Sequence, residues 1–560
     1  MGSSDKSIRE LVNAYINGEI KLPELQRSYV WKSTQVRDLI DSLYRGYPSG
    51  TLLLWDMPKD TPTRLAAIEQ GNTRGARELL LDGQQRLTSL SLLMQGKPVI
   101  VKDRKRPIDI LFNLNHPEEV FGQTQDAEYF ETVEDESTKI DALRVVRNQT
   151  FVVANNALAK QKHWVSVTKI FQDDSESKTL RDIGFNSNDE EWDHLADRIK
   201  RVRDIVNYEY RCITLESSKS YQEVTEIFVR VNSLGTKLRS SDLALAQMTA
   251  IWPHSLKEFE GYQNICGHAG FQFDLGIILR LLTIMAKEKA GIGDQVKFNN
   301  ITHLSQDHLQ GAWQDTKAAF DFAINFLREH LKIESLAALS SPFIIVTLSY
   351  FLHKNKDHLD NEQVTQLREW IKRCNMKARY SRGSSETILG QDITAIRKGN
   401  SITPLLTHIK TQAGKLDVAA EDLELLKSNS AYFKTMFLSF RQAGAQDWKT
   451  NLPISMSMQG ARHKIEEHHI FPKAQLKQLG HTDDLINNIA NLTFISAGQN
   501  KSISDNLPTE YLSTLSDNDL EQHCIPKDQS LWELNEYKTF LEARRNLITE
   551  RLNAYCEDRL

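Results

Sequence analysis

Cysteine is scarce in this 560-residue chain. The five are Cys212, Cys266, Cys374, Cys524 and Cys556, and none forms a CxxC pair. That excludes a zinc knuckle and a disulfide framework, and it fits a reducing cytoplasm. Long apolar runs are also lacking. The longest, "PFIIVTLSYFL" at 342–352, is too short to span a bilayer, so no membrane partner is expected. The opening "MGSSDKSIRE" carries no apolar h-region, so a secretory signal is not expected and a cytoplasmic location is. A basic excess is missing as well. The net charge of −5 excludes a uniformly basic DNA-coating protein but not a local basic groove. The phosphate-cradling GxxxxGK[ST] pattern does not occur, which excludes a P-loop.

What remains is ordinary globular material, 40% hydrophobic and 26% charged. Its length suggests about three or four domains. The first hundred residues mix helix and strand signals, about 250–450 are mostly helical, and after 460 the texture returns to short strands and polar loops. The expected fold class is therefore a multidomain α+β chain.

In the first part, "STQVRDLIDSLYRGYPSG" begins with a hydroxyl N-cap, Ser33 or Thr34. It places Val36, Leu39, Ile40 and Leu43 on one helical face. "TLLLWD" reads as a strand. "ELLLDGQQRLTSLSLLM" reads as strand, glycine turn and helix, with Leu87, Leu90 and Leu93 on one side. The acidic stretches 121–142 and 173–194 read as solvated insertions. "EIFVRVN" alternates, which predicts a strand with Ile227, Val229 and Val231 on one face and Arg230 and Asn232 on the other. "SSDLALAQM" starts a capped helix, and "FDLGIILRLLTIMAKEK" and "HLDNEQVTQLREWIKRC" predict amphipathic helices.

Two constellations carry chemistry. The first is "LLLDGQQRLTSL". A helix N-terminus favours an anion, and Gly83 lets backbone approach a ligand. Arg86 is suited to fork onto a phosphate and Asp82 to hold a magnesium ion or its water. Gln84 and Gln85 can orient a water or read a base. Tyr29 and Trp31 are candidate stacking platforms.

The second is "HKIEEHHIFPKAQL" with "LINNIANLTFISAGQNKSIS" behind it. "KIEEHH" and "LTFIS" read as strands, Asn491 sits at the entry of the second, and a short helix carries Asn500. Neighbours on a strand face opposite sides, so His468 and His469 both turn inward only if the strand bends towards Ile470 and Pro472. Histidine suits a general base near neutral pH. A second histidine and an asparagine can ligate a divalent ion without adding charge, which keeps the site positive towards a polyanion. Glu466 and Glu467 read as solvated strand charges. Between the two constellations lies a basic island, Arg368, Lys372, Arg373, Lys377, Arg379, Arg382, Arg397 and Lys398, expected to form a positive track for DNA. Lys102, Arg104, Lys105 and Arg106 form a smaller one.

The order HHIFPK, NL, NK resembles the HNH nuclease superfamily, and in particular the HNH domain at the C-terminus of GmrSD-type proteins. "LPELQRSYVWKSTQVRDLIDSLYRGYPSG", "LDGQQRLTSL" and "IFVRVNSLGTKLRSSDL", in that order, resemble the DGQQR domain of the same family and of its phosphorothioate-sensing relative SspE. "ARYSRGSSETILGQDI" resembles the helical part before the HNH domain.

This resemblance implies a ParB/sulfiredoxin-like α/β sensor domain over 1–250, a helical domain over 251–450 and a ββα-metal HNH domain over 451–560. The last must fold without the structural zinc of common HNH proteins, since the flanking CxxC pairs are absent. It implies His469 as general base, His468 and Asn500 as ligands of Mg²⁺ or another divalent metal, and Asn491 as the residue that braces the loop and orients the base. Lys501 becomes a phosphate contact. Asp82, Gly83, Gln84, Gln85 and Arg86 become a nucleoside triphosphate site, GTP favoured over ATP, with Asp82 and Arg86 serving hydrolysis. Gln26 and Arg27 are its neighbours, and Arg230 and Asn232 complete the pocket. The implied function is a modification-dependent, type IV-like restriction endonuclease of phage defence. Its partner is DNA, such as glucosylated phage DNA or phosphorothioate DNA, with homo-oligomerisation left open. The alternative is a nucleotide-binding adaptor whose HNH remnant only binds DNA or a partner.

Overall fold

Leucine-rich runs bounded by glycine and proline build the first half of the chain. In the computed structural model the described residues are 2–23, 31–56, 63–64, 77–101, 104, 106–117, 148–155, 158–234, 239–293, 296–298, 301–355, 358–399, 401–458 and 460–559. They form two compact units, Met1–Leu256 and Lys257–Leu560, and the whole is α+β. Among the described residues no helix is long and apolar enough to cross a membrane.

The strands of the first unit are β1 (Gly2–Ser7), β2 (Ile20–Pro23), β3 (Leu52–Asp56), β4 (Thr63–Arg64), β5 (Glu78–Asp82), β6 (Ile110–Asn113), β7 (Phe151–Val153), β8 (Trp164–Ser166) and β9 (Glu209–Leu215). A mixed sheet runs in the order β1-β9-β3-β5-β2-β4, and a small antiparallel one in the order β7-β6-β8. β3 pairs parallel to β9 and antiparallel to β5.

Strand alternation divides the apolar residues of β3 and β5 between two cores. Leu52, Leu54 and Leu80 pack with the helices Ile8–Ile16, Ser33–Tyr44 and Gln84–Met94. Leu53, Trp55, Leu79 and Leu81 pack with Val224, Phe228 and Ala246. Burial on both faces explains why both strands read as unbroken apolar runs. Val36, Leu39, Ile40 and Leu43 are buried as their spacing predicts, although the helix is capped at Lys32 and Ser33 lies inside it.

Two expectations are corrected. "EIFVRVN" is not a strand but part of the helix Tyr221–Leu234. Its alternation is incidental: the buried positions are Val224, Thr225 and Phe228, at helical spacing, while Val231 is exposed. The stretch 173–194 is not a plain solvated loop either. It holds the helix Glu176–Asp182 and the start of Trp192–Arg203, and Asp173 is buried against Lys169, Lys178 and Thr179. The acidic stretch 121–142 lies outside the described residues.

The second unit is a stack of helices. Leu275–Lys289, Gln306–Leu331 and Phe343–Lys354 pack in succession, followed by Ser385–Lys398 on Phe343–Lys354. Asn361–Met376, Ala431–Gln442 and the C-terminal Tyr537–Cys556 pack on one another. Against this frame sits an antiparallel pair, β10 (Ile465–His469) and β11 (Leu492–Ser496), with the helix Ala497–Ile503 directly after β11. Between the two strands lie the short helices Lys473–Gln478 and Asp483–Ile486.

Candidate functional site

β10 ends on the two histidines. Its pairing places Glu466 opposite Ile495, His468 opposite Thr493 and His469 opposite Leu492. Ser496 caps the helix that follows, which carries Asn500 back to β10. His468 Nδ1 lies 2.9 Å from Asn500 Oδ1. The two expected metal ligands, 32 residues apart in the chain, are therefore in contact.

The imidazoles part company, as strand alternation requires. His468 is buried, with Nε2 3.3 Å from the Tyr511 hydroxyl and its ring edge-on to Trp448. His469 is half-buried, with Nε2 3.1 Å from Asn487 Oδ1. Burial pushes the His468 imidazole down to about 4, helped by the Arg544 charge and opposed by the bond to Asn500. Burial also pushes His469 down to about 4, with Lys473 adding to the effect and the Asn487 bond opposing it. Both are neutral at pH 7, the state that a ligand and a base require.

Asn491 is fully buried and acts as a clamp. Its Oδ1 accepts from Phe471 N at 2.9 Å, and its Nδ2 donates to the carbonyls of Phe471 and Ile486 at 3.2 and 3.0 Å. Its own carbonyl accepts from Ile470 N at 2.8 Å. It grips the chain just after His469, while the bond to the imidazole itself comes from Asn487. Lys501 is exposed on the Asn500 helix.

The donor set suits a divalent ion. Tyr511 donates its hydroxyl hydrogen to the Ile470 carbonyl at 2.7 Å. Its oxygen thus faces His468 Nε2 as an acceptor at 3.3 Å, while Asn500 Oδ1 faces Nδ1 at 2.9 Å, so the one hydrogen of the neutral imidazole serves one of the two. Asn500 Nδ2 donates to Glu466 Oε2 at 3.2 Å, which turns Oδ1 towards His468. The two atoms, Asn500 Oδ1 and His468 Nδ1, lie 2.9 Å apart. Ligands about 2.1 Å from one octahedral ion and adjacent on it lie about 3 Å apart. Among the described residues no group of three or more His, Cys, Asp or Glu side chains could hold a metal, so an ion here requires the Asn500 amide.

Three contributors had little or no sequence signal. Asn487 sits in the asparagine-rich "LINNIAN". Tyr511 is merely one of fifteen tyrosines. Arg544 is fully buried in the C-terminal helix and donates to the carbonyls of Ala490, Leu492, His523 and Cys524, bracketing the Asn491 turn. Glu466 departs from its reading as a solvated charge: it is half-buried, unlike exposed Glu467.

In the first unit, Asp82 closes β5 and Gly83 opens the helix Gln84–Met94 with φ +96°. A Cβ there would lie 2.0 Å from Leu52 Cδ2, so glycine is required on both counts. Arg86 corrects its expectation. Its Nη1 donates to Ser49 O at 2.6 Å, and its Nη2 to Thr51 O at 2.8 Å and Asp82 Oδ2 at 3.2 Å. The fork grips the "YPSGT" loop instead of facing outward for a phosphate. Asp82 stays partly exposed beside it. Gln84 is buried, and Gln85 Oε1 accepts from Trp31 N at 3.2 Å. The Trp31 ring packs against the unit's core. Gln26, Arg27 and Tyr29 lie outside the described residues, as does the side chain of Asn232. Arg230 is exposed and paired with Glu226 one helical turn away, so no strand face presents it to a pocket.

The basic island is likewise corrected. Lys372 and Arg368 bind Asp558, Lys372 also donates to Tyr555 O, Arg373 binds Glu369 and Asp417, and Arg379 forks onto fully buried Asp392. These charges tie helices together. Arg382 and Lys398 remain exposed. Of the smaller basic cluster, Lys102 and Lys105 lie outside the described residues.

A mixed sheet with helices on both faces and a glycine-opened helix defines a class of α+β first unit that comparison with known proteins makes specific. Residues 8–249 match the family model described as GmrSD restriction endonuclease, N-terminal domain. The resemblance to GmrSD-type restriction endonucleases is thereby established over that span, and DNA is the partner that family implies. The chain is also 25% identical over 553 residues to uncharacterized protein MJ0686 of Methanocaldococcus jannaschii, covering 91% of this chain and 87% of that protein. That protein's name assigns no function.

Proposed function

We propose that the chain is a DNA-cutting restriction enzyme of the modification-dependent kind, with an HNH nuclease site at His468, His469 and Asn500. The reading divides the second unit functionally near residue 450, into a helical part and a nuclease part. The observation that carries it is the 2.9 Å contact between His468 Nδ1 and Asn500 Oδ1. It supports a shared ion between residues that the motif alone pairs.

A divalent ion such as Mg²⁺, when bound, supplies charge neutralisation at the scissile phosphate. The chain's own residues do the rest. His468 and Asn500 hold the ion. His469, neutral at pH 7, takes a proton from water through Nδ1. Asn487 holds its Nε2 side, and Asn491 fixes the turn that follows. The Lys473 charge that lowers the His469 pKa is opposed once a phosphodiester binds nearby, which brings the base closer to working pH.

In the first unit, Asp82, Gly83, Gln84 and Gln85, with Gln26 and Arg27, form the proposed nucleoside triphosphate site, GTP before ATP. Arg86 positions the loop and Asp82 and does not hold phosphate. Hydrolysis there reports the DNA state to the nuclease part. Supercoiled plain and modified DNA incubated with Mg²⁺ or Mn²⁺, with and without GTP or ATP, tests the reading. Wild type nicks or cuts, and His469→Ala does not. Cutting that survives His469→Ala removes the base assignment.

The second reading is a DNA-binding adaptor. It is favoured by one observation: His468 and His469 bond to different elements and not to one centre. Binding of DNA without cutting under every condition above would select it.

A further inference from the structure

We propose that Glu466 is the anionic member of the cation site, a role nothing in the motif gives it. The proposal deepens the nuclease reading and rests on it. Glu466 and His468 are two apart on β10 and share a face. Glu467, between them, is exposed. One carboxylate oxygen of Glu466 accepts from Asn500 Nδ2 at 3.2 Å. The carboxylate thus touches the residue whose other amide atom meets His468.

Three physical points converge. First, Glu466 is half-buried, yet among the described residues no Lys, Arg or His forms an ion pair with it. A carboxylate that gives up part of its hydration normally gains a cation. Second, His468 and Asn500 are both neutral ligands. A hard dication favours carboxylate oxygen, and imidazole with amide alone is a weak set for Mg²⁺. Third, the bond from Asn500 Nδ2 already fixes the amide so that its oxygen faces the site. Glu466 therefore both orients one ligand and supplies the charge that the pair lacks.

The test is Mn²⁺ binding to the full chain, read by calorimetry and by the electron paramagnetic resonance of free Mn²⁺, with no DNA present. Wild type is expected to bind one Mn²⁺ at this site. Glu466→Gln keeps an acceptor for Asn500 Nδ2 and removes only the charge; it is expected to weaken binding by about tenfold or more. Glu467→Gln is expected to leave the affinity unchanged. His468→Ala tests the underlying site and is expected to abolish binding. If His468→Ala abolishes binding and Glu466→Gln binds as wild type does, the site stands and the role of Glu466 is overturned. If wild type binds no Mn²⁺, or His468→Ala binds normally, the nuclease reading fails and takes this one with it. Metal-free melting curves guard against misfolding. Should Glu466→Gln melt early, Glu466→Asp, which keeps the charge, must bind at least as tightly as Gln, and weaker binding by Asp overturns the proposal.

Discussion

Asn487 Oδ1 and His469 Nε2 lie 3.1 Å apart, although 18 positions separate the two residues in the chain. Asn487 Nδ2 donates to Asp483 O at 2.8 Å, so it is the amide oxygen that faces the imidazole. Nε2 therefore carries the hydrogen, and Nδ1 keeps the lone pair that a base needs. Asn487→Ala is expected to slow cleavage by roughly 10–100-fold, the cost of an orienting partner. In ¹⁵N spectra of histidine-labelled protein, His469 should be the Nε2–H tautomer in wild type and a mixture in the variant. A wild-type signal from the Nδ1–H form would refute the assignment.

Arg544 should be indispensable to the fold around the Asn491 turn without touching a substrate. It is fully buried, and burial lowers its pKa to about 10. Among the described residues no carboxylate pairs with it. Four backbone carbonyls do the work of a counter-ion. Arg544→Met leaves those carbonyls without a donor and is expected to cost about 3–5 kcal/mol. Arg544→Lys restores at most part of it, since an ammonium cannot span the fork. Chemical denaturation checks this. The proposed nucleotide binding by the first unit should be unaffected.

At the first site, structure and chemistry separate cleanly. Gly83→Ala forces a Cβ onto Leu52 at a positive φ and is expected to destabilise by about 2–3 kcal/mol. Arg86→Lys loses the bidentate grip on Ser49 and Thr51 and is expected to cost about 1–3 kcal/mol. Asp82→Asn keeps a hydrogen-bond acceptor at a partly exposed position and should leave the melting temperature within a few degrees. If it also leaves nucleotide hydrolysis intact, the proposed site is wrong.

Much of this was legible because the spacing was long and periodic. The Ser33 helix, the β5–glycine–helix turn and the two C-terminal strands follow from local pattern, whereas Asn500 is singled out only by the resemblance to HNH proteins. Two kinds of feature were not legible. "EIFVRVN" carries apolar residues at every second position and also at helical spacing, and only packing of Val224 and Phe228 under the sheet decides between them. The basic island reads as a surface because its acids, Asp417 and Asp558, are far away in sequence. Asn487 and Tyr511 reach the histidines across loops whose geometry no local pattern contains.

The buried imidazole of His523 makes the second unit acid-sensitive in a defined window. His523 is fully buried, with Nδ1 2.8 Å from Thr493 Oγ1 and Nε2 2.9 Å from Gln446 O. Phe440 and Trp448 pack on its ring. Burial pushes its pKa from 6.5 down to about 4; the Gln446 bond opposes this, Arg544 lowers it further, and Asp519 and Asp447 act the other way. Between about 4 and 6.5 the unfolded chain therefore binds more protons than the fold does, and stability rises with pH. The contribution is complete above about 6.5 and is lost as pH falls towards 4, by about 3 kcal/mol in all. His523→Gln should be less stable at pH 7 but should lose less on acidification, so the gap to wild type narrows by about that amount by pH 4. Unfolding free energies measured at pH 7, 5.5 and 4 check this, and a gap that stays constant with pH would show that the fold does not lower the His523 pKa.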